Sequence, residues 1–100
     1  MKIVKLNRNY NIHKNHGFEV GVKFEIWGAV AREFEQVVAD RLGGQAWLWK
    51  HYPNKNIKGN WACGFGKRTK GEATPYWIYF RKESMLSLVL LSIDHQKDQK

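Results

Sequence analysis

The chain has 100 residues, 43% of them hydrophobic and 14% aromatic, and its 17 Lys+Arg against 9 Asp+Glu give a net charge of +8. That aromatic content excludes a disordered basic tail, and halves of about 50 residues would bury too little surface to fold separately, so residues 1–100 read as a single domain. A single cysteine, Cys63, excludes an internal disulfide framework and any multi-cysteine metal site.

In chain order, residues 2–6 predict a short strand, and the stretch from Asn7 to Gly17, rich in Asn and His, predicts a loop. Phe18, Val20, Val22, Phe24 and Ile26 then alternate with Glu19, Gly21, Lys23 and Glu25. This period of two predicts a strand over 18–26 with one face buried. The period changes at Trp27: with Val30, Phe34, Val37, Val38 and Leu42 it marks an apolar stripe at three- and four-residue steps. That is an amphipathic helix over 28–42, stopped by Gly43-Gly44. Gln45 to Tyr52 predicts a strand ended by Pro53-Asn54, Trp61 to Gly66 a second, and Tyr76 to Arg81 a third that starts after Pro75.

The stretch Ser84 to Ile93 admits two readings. The preferred one is a helix capped by Ser84 that buries Leu86, Val89, Leu90 and Ile93; the other is a strand carried by Leu86, Leu88 and Leu90. Residues 94–100 form a polar tail expected to fray. The element order is therefore ββαβββα: an α+β domain with a mainly antiparallel sheet of four to five strands and two helices on one face.

Charge is unevenly spread. Residues 41–82 hold nine bases against Glu72 alone, and nine of the fourteen aromatics, whereas residues 19–40 are net acidic. An anionic partner is expected for such a surface. The longest apolar run, Leu88 to Leu91, is far short of the ~18 residues that span a bilayer. The first six residues lack the features of a signal peptide, and the lone thiol suits a reducing compartment. A cytoplasmic location with no membrane partner follows as an expectation.

Within the basic segment, alternation puts Trp77, Tyr79 and Arg81 on one face of their strand and Tyr76, Ile78 and Phe80 on the other. If helices cover one side of the sheet, the other is free for Trp77 and Tyr79 to stack bases while Arg81 and Lys82 meet phosphates. The loop Gly66-Lys67-Arg68-Thr69-Lys70-Gly71 is the expected phosphate clamp, with glycines that let backbone approach closely and three cations in Lys67, Arg68 and Lys70. Lys55 and Lys58 add charge in the preceding loop.

Enzymatic signatures are missing. A Walker loop needs a glycine where Trp61 stands, and a dinucleotide fingerprint needs a helix where a polar loop follows. Cys63 shares a strand face with Trp61 and Phe65 and reads as a buried thiol, and His13 and His16 lack further metal ligands nearby. The expectation is a non-enzymatic nucleic-acid-binding protein without cofactor, favouring RNA over duplex DNA. The alternative is a small inhibitor or adaptor that uses the same patch on an acidic or nucleic-acid-handling protein.

The helix–three strands–helix order over residues 28–93 resembles that of double-stranded-RNA-binding domains, which carry a lysine-rich signature where this chain has Arg81-Lys82-Glu83-Ser84. The compact basic chain, with GFGKRTKG followed by PYWIYFRKE, also looks like short proteins of tailed bacteriophages. That resemblance implies action in the cytoplasm of an infected host, on nucleic-acid metabolism or on a host defence protein.

Overall fold

The computed structural model describes residues 1–43, 59–67 and 70–98. In chain order they form β1 (Lys2–Lys5), α1 (Asn11–His16), β2 (Val20–Phe24), α2 (Ala29–Leu42), β3 (Trp61–Phe65), β4 (Tyr76–Phe80) and α3 (Glu83–Asp98). The fold is α+β, with one four-stranded antiparallel sheet ordered β1-β2-β4-β3. The stretch after Ser84 is helical. The strand expected at 45–52 lies outside the described residues.

β4 sits between β2 and β3 and is buried along its whole length. Its alternating side chains feed two separate cores. Tyr76, Ile78 and Phe80 join Val20, Val22, Phe24, Trp61 and Cys63 under α2 and α3, whose Ala31, Phe34, Val38, Leu86 and Val89 close the larger core. Trp77 and Tyr79 face the other way and pack with Leu6, Ile12, Phe18 and Ala62. The expected pair of helices does cover one face, but the face expected to be free is covered too.

Its cover includes α1, in a stretch expected to be loop. The Asn7 side chain accepts the Asn9 N–H at 2.9 Å, a local turn that leads the chain to Tyr10 and the start of the helix. Gly17, at φ 74°, ends the helix with its N–H donated to the His13 carbonyl at 2.9 Å. Only Ile12 and His16, four residues apart, are buried. Six residues are too few for an apolar stripe to stand out in the sequence.

The buried stripe of α2 is also rotated from the expected one. Ala31, Phe34 and Val38 face the sheet, whereas Val30 is 68% exposed. Consecutive helical residues lie about 100° apart, so burying small Ala31 against the sheet turns Val30 outward. α3 begins at Glu83, ahead of the expected Ser84 cap, and runs on to Asp98 through residues expected to fray; the Glu83 N–H donates to the Glu19 carboxylate at 3.1 Å. That carboxylate, brought in from the chain before β2, meets the helix N-terminus where Ser84 was expected to do so. Among the described residues, no helix is long and apolar enough to cross a membrane.

Arg81, expected to contact phosphate, is occupied inside the fold. Its Nε and Nη2 donate to the Gly59 carbonyl at 3.3 and 2.9 Å, and its Nη1 donates to the His16 carbonyl at 2.8 Å. Its guanidinium also lies 4.6 Å from the Phe18 ring centroid. One planar fork thus ties the end of β4 to the end of α1 and to residue 59, which a lysine's single ammonium cannot do. Arg81→Lys is expected to lower the free energy of urea unfolding by about 1–3 kcal/mol, and Lys82→Ala by less than about 0.5 kcal/mol. Equal effects would show that Arg81 is not a structural tie.

Candidate nucleic-acid interface

Trp77 and Tyr79, the expected stacking pair, are only 9% and 6% exposed. Their rings stack on each other at 5.6 Å and 6°, and Tyr10 approaches Trp77 at 6.2 Å. The second core has claimed them, so they offer no platform to a base. Of the expected cations, Lys67 and Lys70 are exposed in the 66–75 connection. Lys82 is exposed just past the opposite end of β4, so it does not join them. Lys55, Lys58 and Arg68 lie outside the described residues.

Other aromatics stand exposed where β2 and β3 end and β4 begins. The register aligns Phe24, Tyr76 and Phe65 in one row across the three strands. Tyr76 is buried at the centre of this row, and its ring supports Trp27 at 4.4 Å and Phe65 at 5.2 Å. Trp27 is 40% exposed and Phe65 46%. The supporting ring is itself held in place: the Tyr76 hydroxyl donates to the Glu35 carboxylate on α2 and is hydrogen-bonded to the Cys63 thiol. Sequence reasoning assigned Trp27 and Phe65 to apolar stripes and so missed them. The signal available for Phe65 was its position at a strand end, two residues before the lysine of a Gly-Lys turn.

Cations gather at the same end of the sheet, on the side facing the smaller core. Lys2 and Lys23 are direct cross-strand partners on β1 and β2, and both are exposed. Like charges in this position repel. The Lys23 ammonium also lies 6.0 Å from the Trp77 ring centroid. Next to it opens a groove of about 580 Å³, lined by Lys23, Glu25, Ile26, Lys67, Glu72 and Pro75 among others. Among the described residues, the ion pair present is Lys5–Glu83, so neither Lys23 nor Lys67 makes a direct ion pair with a described carboxylate, although Glu25 and Glu72 line the same groove.

Gly66 stands next in the chain to the groove-lining Lys67. Its N–H donates to the Pro75 carbonyl at 2.8 Å, continuing the β3–β4 pairing past the strand ends. A Cβ at this position would lie 2.8 Å from both Pro75 Cγ and Trp77 Nε1. Only glycine allows that approach, and the next residue, Lys67, lines the groove together with Lys23.

The remaining candidate groups serve the fold. Burial pushes the Cys63 thiol above its ordinary value of 9.0, the Glu35 charge adds to the rise, and the hydrogen bond with Tyr76 opposes it. Burial, followed by the hydrogen bonds with Cys63 and Glu35, likewise pushes the Tyr76 hydroxyl upward. Both groups are neutral at pH 7, which suits packing and hydrogen bonding. His13 donates Nδ1–H to the Phe18 carbonyl at 2.7 Å, and His16 is buried with no side-chain hydrogen-bond partner among the described residues. The site therefore presents aromatic faces, ammonium groups and a groove. No family model, curated protein or solved structure matches the chain.

A group whose folded-state pKa is raised loses its stabilising contribution as pH rises beyond the unfolded value. Stability should therefore hold up to about pH 9 and then decline as the unfolded chain's thiol ionises while buried Cys63 stays protonated. Cys63→Ala should remove the early part of that decline in urea titrations from pH 7 to 10. An alkylating reagent should also modify the native thiol far more slowly than the urea-unfolded one. Equal rates would show that Cys63 is accessible.

Proposed function

We propose that this protein is a non-enzymatic nucleic-acid-binding protein that prefers single strands, RNA above all, to duplex DNA. The observation that carries this reading is the sheet end described above. Lys2 and Lys23 face each other across strands, Lys67 lines the same groove as Lys23, and Trp27 and Phe65 stand exposed close by. Mutual repulsion among the lysines is relieved by a bound polyanion, and exposed aromatic rings gain from stacking on unpaired bases. Single strands are favoured because the polar face of α2 carries Arg32, Glu33, Gln36 and Asp40, mixed in sign, so α2 is no basic reading helix for a duplex groove. A cytoplasmic setting, and action in a phage-infected host, belong to the same proposal.

A second reading rests on Ile26 and Val30. Both are exposed beside Trp27, and aliphatic side chains contribute little to base stacking. They suit an acidic protein partner held on the same patch, the role of an inhibitor or adaptor.

Anisotropy titration with labelled single strands should show affinity falling steeply with salt, at a log–log slope of about −0.7 per neutralised phosphate. Trp27→Ala should weaken binding by about 1–3 kcal/mol, and Lys23→Ala should reduce the slope by about 0.7. Binding that is insensitive to salt, or absent at low salt, would overturn the nucleic-acid reading. A cytosolic partner that stays bound to the protein after nuclease treatment would support the protein-partner reading instead.

A further inference from the structure

Two groups in the groove are unexplained by simple phosphate binding. Glu25, from the chain just after β2, and Glu72, from the 66–75 connection, line it together with Lys23 and Lys67. Both carboxylates are exposed, and neither is ion-paired to a described cation. A phosphate backbone laid along the groove would meet these two negative charges directly. A backbone held by the lysines leaves the two carboxylates to a group that donates hydrogen bonds while resting on the apolar surfaces of Ile26 and Pro75. An unpaired base is flat, largely apolar on its faces and polar at its edge, and meets both demands.

We propose that the groove is a base-reading subsite selective for guanine, an inference that rests on the nucleic-acid reading above. An ionised carboxylate only accepts hydrogen bonds, through two oxygens. The Watson–Crick edge of guanine presents two adjacent N–H donors, a ring N–H and an amino group, which match one carboxylate side by side. Adenine and cytosine offer one amino donor next to a ring acceptor. Uracil offers one N–H between two carbonyl oxygens, which a carboxylate repels. The order of preference is guanine, then cytosine and adenine, then uracil. Glu25 and Glu72 supply the acceptors, Lys23 and Lys67 hold the flanking phosphates, and Trp27, next in the chain to Ile26, stacks on a neighbouring base.

The test uses the full chain and short fluorescent poly-uridine strands carrying one central guanine, adenine, cytosine or hypoxanthine, titrated by anisotropy at low salt. The guanine strand should bind about tenfold more tightly than all-uridine, and hypoxanthine, which lacks the amino group, should fall between them. The double variant Glu25→Gln, Glu72→Gln should bind every strand at least as tightly, because two negative charges are gone, while the guanine preference shrinks to about twofold or less. A merely structural role for the two residues would not separate affinity from preference in this way. Equal affinity of the wild-type protein for all the strands would overturn the base-reading proposal and leave the nucleic-acid reading intact. A guanine preference that persists in the double variant would overturn the assignment to these carboxylates. Failure to bind any strand would overturn both readings together.

Discussion

The structure depends on one constraint: β4 must be shielded from water on both faces. All five of its residues are large and all are buried. Each such side chain contributes about 1.5–3 kcal/mol when removed from water, so neither face is left bare. One face is met by two full-length helices. The other is met by a few residues, Leu6, Ile12 and Phe18, on a segment with only six residues of helix. Because that thin cover buries little on its own, polar ties supplement it. Arg81 grips the end of α1 and residue 59, and the His13 ring binds the Phe18 carbonyl. The net positive charge thus includes at least one cation whose work is internal.

At one end of the sheet aromatic side chains are left partly exposed, and the strand ends account for it. β2 leaves the sheet after Phe24, β3 after Phe65, and β4 enters at Tyr76. Side chains in the last row and beyond it have one flank on the core and one in water. Tyr76 remains inside because Glu35 and Cys63 engage its hydroxyl, and its neighbours Trp27 and Phe65 are left half outside. Aromatic exposure here follows from where the strands end. The lysine pair on β1 and β2 lies one residue before the end of β2, on the opposite face, so cations and rings flank the same edge.

Much of this fold was legible in the sequence. Alternation from Phe18 to Ile26 located β2, helical spacing from Trp27 to Leu42 located α2, and the density of β-formers after Pro75 located β4. What alternation cannot decide is whether one face of a strand is solvated. Tyr76, Ile78 and Phe80 are no more apolar as a set than the tryptophan and tyrosine between them, and both sets are core. α1 was illegible because two buried residues make no period. The rotation of α2 was illegible because alanine at 31 and valine at 30 are both apolar, and only the docked sheet distinguishes them. The basic loop stands out in the sequence by its charge, and its Lys67 lines the groove. Trp77 and Tyr79 were expected to be exposed and are buried, because aromatic side chains at strand ends and in strand centres look alike in a sequence.

Gly21 carries a consequence for how this protein can vary. It lies on β2 opposite Tyr79, and a Cβ there would come within 3.0 Å of the Trp77 ring and 3.1 Å of the Tyr79 ring. The stacked pair thus occupies the space a side chain at position 21 would need. Three positions, two of them distant in sequence from the third, therefore behave as one heritable unit. A methyl group gained at 21 obliges the rings at 77 and 79 to give by a few tenths of an ångström, and volume lost at 77 or 79 relieves that crowding. Substitutions at these three positions are therefore not independent, and the tolerance of each is set by the volume at the other two.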